Sequence, residues 1–136
     1  MKYMILTLAS QLDYESLSGK PGSAWTDEDF AALRRFMTDL NKDLTESGEL
    51  VETRGLAAPV HSRRLRLREG VPVVTDGPYA ETEEVLAGYW IVECASYDRA
   101  TEIAARIVDG PGPDSDRENY VVDVRPLVDS ADDLAD

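Results

Sequence analysis

The chain has 136 residues, 43% of them hydrophobic and 30% charged, and its 27 acidic and 14 basic side chains give a formal net charge of −13. This length and composition are typical of a single globular domain that buries its own hydrophobic core. Nucleic acids and anionic membrane surfaces are bound through Lys and Arg, so the acidic balance makes us expect neither as a partner.

The cysteine content and the hydrophobic runs exclude further classes of protein. Cys94 is the single cysteine, which excludes an internal disulfide and a zinc site built on a cysteine pair. No apolar run approaches the roughly 20 residues of a membrane span. The N-terminal run Tyr3–Ala9 is short for a secretory signal peptide and is more typical of a first strand. We therefore expect a cytoplasmic protein.

The first third of the chain predicts a strand followed by a long helix. Tyr3–Ala9 is a compact apolar run typical of a buried central strand, and the polar residues 10–23 predict a loop. Thr26 can cap a helix with an acidic first turn, and Gly48 is a typical stop signal. The apolar residues of this helix recur at steps of three and four and share one face: Phe30, Leu33, Met37, Leu40 and Leu44.

The middle of the chain predicts a hairpin. Leucines and arginines alternate in RRLRLR, Arg63–Arg68, so they point to opposite faces of a strand, and Val71–Val74 returns as its partner. The other predicted elements are a strand at 50–56, a central strand at 88–94, a helix that begins near Ser96, a loop at 109–119 and a strand at 120–127.

The order of these elements predicts an α+β fold. Two helices on one face of a mostly antiparallel sheet fit a ferredoxin-like βαββαβ arrangement with an inserted β-hairpin. The strands at 3–9 and 88–94 carry apolar side chains on both faces, which favours a second subunit on the face without helices, hence a homodimer. We place the domain at residues 1–128 and expect the acidic tail at 129–136 to be disordered.

The stretch TDGPYAETEE, residues 75–84, places a tight turn between two strand-like runs. Asp76 can hydrogen-bond the backbone ahead of it, Gly77 accepts dihedral angles that other residues resist, and Pro78 fixes its own φ. Local turn chemistry is one explanation of this motif. In the functional alternative, the turn holds the Asp76 carboxylate rigidly at a strand end, facing a cavity.

The stretch TDGPYAETEEVLAGYWIVE, residues 75–93, resembles the signature of the YciI-related (YCII) family, in its DGPF subgroup. Tyr79 stands where the pattern has Phe, and Ala87-Gly88 where it has Gly-Gly. The start MKYMIL and the terminal VVDVRPL also resemble the family pattern. The resemblance implies a ferredoxin-like domain of the dimeric α+β barrel type, with clefts near the DGP loop. It also implies kinship to a wider superfamily that includes small-molecule isomerases and lyases. Some YciI-type members use a His–Asp pair as the acid–base centre.

Two residues are candidates for acid–base chemistry, Asp76 and His61. Asp76 matches the aspartate of the family's DGP motif, and a carboxylate in a half-buried cleft can act as a base, although it can equally cap its own turn. His61 is the single histidine and lies just before the hairpin, whereas the YciI pattern places its histidine nearer the N-terminal half. A lone histidine in a polar loop is usually just exposed, and catalysis needs a positioned partner.

The candidate ligand-binding residues surround the same turn or lie on neighbouring strands: Gly77, Pro78, Tyr79, Glu81, Arg54 and Trp90. Tyr79 can line a cleft with its hydroxyl as a donor, or pack at the dimer seam. Of Tyr89 and Trp90, we expect one to face the helices and the other the subunit interface. The acidic loop has no calcium-loop spacing and is expected to be solvated, so we expect no metal and no cofactor.

Two functions remain open from the sequence, beside a third alternative, a purely structural dimer with no site. The first is small-molecule binding in a dimer cleft beside Asp76 and Tyr79, with acid–base chemistry such as isomerisation or elimination. The second is a non-catalytic ligand-binding or regulatory module that uses the same cleft or the dimer face. The sequence contains no phosphate loop and no dinucleotide fingerprint, so nucleotide binding is unsupported.

Overall fold

The structure is a computed structural model that describes residues 1–135. Its elements in chain order are β1 (Lys2–Ala9), α1 (Gln11–Leu17), α2 (Asp27–Glu46), β2 (Leu50–Gly55), β3 (Arg63–Arg68), β4 (Val71–Asp76), β5 (Val85–Glu93), α3 (Tyr97–Val108), α4 (Asp114–Arg117) and β6 (Val122–Pro126). Short 3-10 turns lie at Pro59–His61 and Ala131–Ala135. Residue 136, the end of the predicted acidic tail, lies outside the described residues.

Four strands form one antiparallel sheet in the order β2-β5-β1-β6. β1 lies inside the sheet between β5 and β6, as its apolar run predicts. β2 and β6 are the edges, so the sheet is open. With α2 and α3, these strands make a mixed α+β fold that is compatible with the predicted ferredoxin-like arrangement. β3 and β4 pair with each other in a separate two-stranded sheet, the predicted inserted hairpin.

The hydrophobic core lies between this sheet and helices α2 and α3. Alternate residues of β1 and β5 point to this side, because successive side chains of a strand point to opposite faces. The buried core side chains are Tyr3, Ile5, Leu40, Leu44, Trp90, Val92, Cys94, Ala100, Ile103, Ala104 and Ile107. Full burial of one large aliphatic or aromatic side chain contributes about 1.5–3 kcal/mol, so this layer dominates the stability of the fold.

The opposite side of the four-stranded sheet, which we call the outer face, carries an apolar row between charges. Met4 of β1 lies opposite Ile91 of β5, Leu6 lies opposite Tyr89, and all four are partly exposed. The flanking strands place four charged residues beside this row: Glu52 and Arg54 on β2, and Asp123 and Arg125 on β6. The outer face is therefore apolar at its centre and charged at both flanks.

Helix α2 begins and ends where the sequence predicts. The Thr26 hydroxyl accepts from the Asp29 N–H at 3.1 Å, and the Asp29 carboxylate accepts from the Thr26 N–H at 2.9 Å, which forms a capping box. Gly48 follows the C-cap residue. Leu40 and Leu44, from the predicted apolar face, are buried in the core. The sequence prediction for this helix is therefore confirmed. It could be made from the sequence because the start and stop signals are local.

Helix α1 lies inside the segment 10–23, for which the sequence predicts a loop, so that prediction is wrong over the helix. A capping box sets its start, in which the Ser10 hydroxyl accepts from the Asp13 N–H and the Asp13 carboxylate accepts from the Ser10 N–H. Tyr14 ties the helix to the sheet, since its hydroxyl donates to the Leu56 carbonyl at 2.8 Å. The short helix α4 likewise lies inside a predicted loop.

The β3–β4 hairpin has one apolar and one basic face, as the alternation in RRLRLR predicts. Residues directly opposite each other in an antiparallel pair share a face. The apolar face consists of two such pairs, Leu65 with Val74 and Leu67 with Pro72. The basic face consists of three, Arg64 with Thr75, Arg66 with Val73 and Arg68 with Val71. The apolar face ends at the pair Arg63–Asp76, which brings the candidate site to the base of the hairpin.

Candidate functional site

The DGP turn follows β4 directly and is tied to two neighbouring segments. The Gly77 N–H donates to the Ser62 carbonyl at 2.8 Å, which extends the hairpin by one residue pair. Gly77 has a φ of 55°, and a Cβ at this position would lie 3.4 Å from the Val60 carbonyl oxygen. The following loop is held by α1, because the Leu12 N–H donates to the Glu81 carbonyl at 3.2 Å. The turn is therefore a fixed part of the scaffold.

The carboxylate of Asp76 lies in solvent on the apolar side of the hairpin. Its Oδ1 is 3.1 Å from Nε of Arg63, the residue directly opposite on β3. The Asp76 side chain is 80% exposed and that of Arg63 is 75% exposed. An exposed ion pair of this kind contributes about 0–1 kcal/mol to stability. The contact therefore orients the carboxylate more than it stabilises the fold.

His61 lies beside the DGP turn along the backbone. It ends the 3-10 turn Pro59–His61, and the next residue, Ser62, is hydrogen-bonded to Gly77. Among the described residues, no side-chain hydrogen bond joins His61 to Asp76. The exposed imidazole instead lines a shallow groove along α1, with Gln11, Tyr14 and Lys20.

Tyr79 lies against the basic side of the hairpin. The guanidinium carbon of Arg64 is 5.0 Å from the centre of the Tyr79 ring, which is a cation–π distance. Tyr79 and the preceding Pro78 are partly exposed, so both present apolar surface beside the turn. Each side of the hairpin base thus carries a guanidinium held by a neighbour, Arg63 by Asp76 and Arg64 by Tyr79.

The other predicted binding residues are dispersed. The Glu81 side chain is exposed in the loop after the turn. Arg54 lies on the outer face of the sheet, on the edge strand β2. Trp90 is only 4% exposed, and its indole N–H donates to Oδ1 of Asn41 at 2.9 Å. The structure thus confirms that one of the two adjacent aromatic residues, Trp90, faces the helices, while Tyr89 lies on the outer face.

The structure brings only part of the predicted set together. Residues 76–79 lie at the hairpin base, with His61 next to the same backbone pair and Glu81 in the following loop. Arg54 and Trp90 lie on the four-stranded sheet instead, on opposite faces of it. The DGP turn and its immediate neighbours are therefore the centre of the candidate site.

A cavity of about 270 Å³ on the helix side of the sheet was not predicted from the sequence. It lies between the end of β1, the first half of α2, the end of α3 and the segment 110–120. Its apolar lining residues include Trp25, Leu33 and Phe36. Its acidic lining residues are Asp13, Glu84 and Asp116. The turn-rich stretch GPGP at 110–113 signals a loop, but it does not reveal which distant residues that loop covers.

Residues 1–135 lack two kinds of structural feature. In that part of the chain, no group of three His, Cys, Asp or Glu side chains is placed to hold a metal ion. No helix in the same part combines the length and the apolar character that a membrane crossing requires.

The chain resembles known proteins over most of its length. Residues 1–109 match the YCII-related domain. An uncharacterised protein from Rhizobium meliloti is 34% identical over 82 residues, which are 60% of this chain and 66% of that protein, just under two thirds of its length. The region matched to the domain includes the DGP turn and strands β1 to β5. Assignment to the DGPF subgroup stays a prediction. The chain belongs to the YCII-related domain family.

Proposed function

We propose that this protein is a homodimer that binds a small molecule in a cleft at the base of the β3–β4 hairpin, where Asp76 is the acid–base group of an isomerase or lyase reaction. The observation that carries the proposal is the position of Asp76 at the end of an apolar hairpin face that lies in solvent. A partner that covers this face also encloses the carboxylate.

The apolar face of the hairpin supports the dimer. Leu65, Leu67 and Val74 are 64%, 73% and 54% exposed. A lone two-stranded hairpin is marginally stable in water at best, and contiguous exposed apolar surface marks sites of association. A second copy that covers these side chains would gain about 25 cal/mol for each Å² of apolar surface removed from water. We therefore place the hairpin in the interface.

The outer face of the four-stranded sheet supports the same arrangement. Its central row is apolar and partly exposed, and each flank carries one acidic and one basic residue. Because each flank carries both a negative and a positive side chain, the surface can pair opposite charges with a second copy of itself. A two-fold interface requires this self-complementarity. We propose that two subunits pack through this face into the barrel-like dimer that the family resemblance implies, with Arg54 at the rim of the cleft.

Enclosure would change the chemistry of the Asp76–Arg63 pair. Removal of water strengthens the interaction between charges, so an enclosed Asp76–Arg63 pair would interact more strongly than the exposed one. In this proposal Asp76 transfers the proton, and Arg63 offers a second contact to a polar or anionic substrate. The Tyr79 hydroxyl and the His61 imidazole, both beside the turn, are the candidates for a second proton carrier.

The remaining predicted residues take supporting parts in the proposal. Gly77 and Pro78 fix the shape of the turn, and Glu81 lies at the mouth of the cleft. Trp90 acts indirectly, because its bond to Asn41 holds β5 against α2 from the helix side of the sheet.

A non-catalytic ligand-binding or regulatory module is the second candidate function. The ion pair itself favours it, because the Asp76 carboxylate is already bound to Arg63. Among residues 1–135, no side-chain hydrogen bond links Asp76 to a second proton carrier. Such a module would use the same cleft, or the dimer face, without turnover.

A thermal-shift screen with a metabolite library tests the site. Compounds that raise the Tm of the wild type should lose this effect in Asp76→Asn. They should keep it in the control Asp39→Asn, which removes an exposed carboxylate from α2 on the helix side of the sheet. The proposal is contradicted if every compound that raises the Tm acts equally on all three proteins, because none of them would then need Asp76.

Following each compound by NMR during incubation with the protein separates the two candidate functions. Conversion of the compound by the wild type, abolished in Asp76→Asn, supports acid–base chemistry. Recovery of an unchanged compound that nevertheless needs Asp76 for binding supports the non-catalytic module.

A further inference from the structure

The cavity of about 270 Å³ beside α2 has the dimensions of a small-ligand site. Pockets for drug-sized molecules begin at ~300 Å³, so this slightly smaller cavity suits a ligand smaller than a typical drug. Its lining comes from the helix side of the sheet, from α1, from the segment 110–120 and from Glu84 in the loop before β5, and the described lining residues include none of residues 76–79. The cavity is therefore a candidate site independent of the proposed dimer cleft.

The walls of the cavity are aromatic and held in place. The indole N–H of Trp25 donates to Oδ2 of Asp116 at 2.6 Å, which fixes the ring at the rim. The loop 110–113 closes tightly over two rings, since a Cβ on Gly112 would lie 3.1 Å from Trp25 and one on Gly110 would lie 3.1 Å from Phe36. Rigid aromatic walls favour a flat, apolar ligand body.

The charges around the cavity are mainly negative. Asp13, Glu84 and Asp116 contribute carboxylates, and Arg117 is the one basic residue among the lining residues that the structure describes. The Arg117 guanidinium is already engaged, with Nη2 2.7 Å from Oδ1 of Asp109. The lining therefore disfavours an anionic ligand and favours a cationic one.

We infer that this cavity binds a small arylalkylamine, with its aromatic group against Trp25 and Phe36 and its ammonium group among the carboxylates. Aromatic faces also attract cations, so the same walls favour a charged amine over a neutral compound of the same shape. Tyr120 also lines the cavity, and its hydroxyl oxygen can accept a hydrogen bond from the ammonium group.

The segment that closes the cavity lies outside the region matched to the family. The match to the YCII-related domain ends at residue 109, whereas Gly112, Asp116 and Tyr120 follow it. The inferred site thus combines residues of the matched region, such as Trp25 and Phe36, with this chain's C-terminal part, and it does not rest on the proposed function.

Isothermal titration calorimetry with 2-phenylethylamine tests the inference, with 3-phenylpropionate as the anion of similar shape and 2-phenylethanol as the neutral analogue. We expect saturable binding of the amine, about tenfold or more tighter than binding of the carboxylate. The double variant Glu84→Gln/Asp116→Asn keeps the side-chain shapes and removes two charges, so its affinity for the amine should fall about five- to twentyfold. The control variant Glu83→Gln/Glu118→Gln also loses two negative charges, but neither residue is among the described lining residues. It should bind the amine with the affinity of the wild type.

NMR amide shifts locate the bound amine. We expect changes at Gly110, Gly112 and Asn119, and none at Gly77. The inference is overturned by an absence of saturable binding at millimolar amine, by equal binding of 3-phenylpropionate, by unchanged affinity in the double variant, or by shifts confined to the hairpin base. If the amine does not bind in the cavity, the proposed function is unaffected, because the metabolite screen tests binding that depends on Asp76.

Discussion

Asp76 and Arg63 lie opposite each other at the base of the β3–β4 hairpin, with Oδ1 of Asp76 3.1 Å from Nε of Arg63 on the apolar side. Both side chains are largely exposed in the single chain. In the proposed dimer, the same contact is enclosed. Its contribution to the free energy of unfolding should therefore depend on whether a second copy is present.

Arg63→Gln should have an effect that depends on protein concentration. Where the chain is monomeric, we expect the free energy of unfolding to fall by less than about 0.5 kcal/mol, because an exposed ion pair contributes little. Where the dimer predominates, the loss should exceed about 1 kcal/mol, because Asp76 is then left buried without its partner. Urea unfolding at low and high protein concentration measures both values. Arg34→Gln, on the exposed side of α2, is the control, and an equally small loss for both variants at every concentration contradicts the enclosure.

Gly77→Val should disrupt the DGP turn. Gly77 has a φ of 55°, a region in which a β-branched residue is strained, and its new Cβ would lie 3.4 Å from the Val60 carbonyl oxygen. We expect a loss of about 1–3 kcal/mol and faster hydrogen exchange across the hairpin. Gly55→Val is the control, because Gly55 has no positive φ and a Cβ there meets no atom within 4 Å. Wild-type stability in the Gly77 variant would show that the turn does not need glycine.

The Glu49–Arg99 contact should make stability depend on pH. Arg99 donates to both carboxylate oxygens of Glu49 at 2.8 Å, and these hydrogen bonds hold the pKa of Glu49 below its ordinary value. A carboxyl group whose pKa is lowered by folding stabilises the fold above its unfolded-state pKa, and this contribution disappears as the pH falls through the folded-state pKa. Glu49→Gln should therefore cost about 1 kcal/mol at neutral pH, after allowance for the solvent screening of the partly exposed Arg99.

Urea unfolding of the wild type and of Glu49→Gln, from neutral to acid pH, measures this dependence. The difference between the two proteins should begin to shrink as the pH falls below the unfolded-state pKa of glutamate, about 4.3, and should disappear as the pH falls through the lowered folded-state pKa. Glu102→Gln is the control, because Glu102 contacts the same Arg99 at 3.2 Å but is far more exposed, and its loss should be smaller. A difference that stays constant with pH would mean that the carboxylate charge is not involved.

Local signals explain the parts of the fold that the sequence predicted well. Thr26 and Asp29 form the capping box of α2 from positions only three residues apart. The alternation of leucine and arginine in β3 places the two residue types on opposite faces of the hairpin. The same register would also have revealed a contact that was missed, because a hairpin that pairs Leu65 with Val74 must pair Arg63 with Asp76.

Helix α1 and the cavity were not predicted, because no recurring local sequence pattern signals either of them. The sequence QLDYESL has no apolar face that recurs over several turns, and none of the helix residues is buried. Its stability comes from a capping box and from distant contacts, such as the bond from the Tyr14 hydroxyl to the Leu56 carbonyl. The cavity is likewise lined by residues as far apart in sequence as Leu8 and Tyr120, which no local pattern brings together.

Molar mass in solution, measured by size-exclusion chromatography with light scattering, tests the proposed dimer most directly. Leu67 lies on the apolar face of the hairpin and Val73 on its basic face, so Leu67→Asp and Val73→Asp place the same charge on opposite sides. The wild type and Val73→Asp should show twice the chain mass of 15.0 kDa, and Leu67→Asp should show the single mass. A wild type that stays at the single mass at every concentration, or a Leu67→Asp variant that remains dimeric, would contradict the proposed cleft.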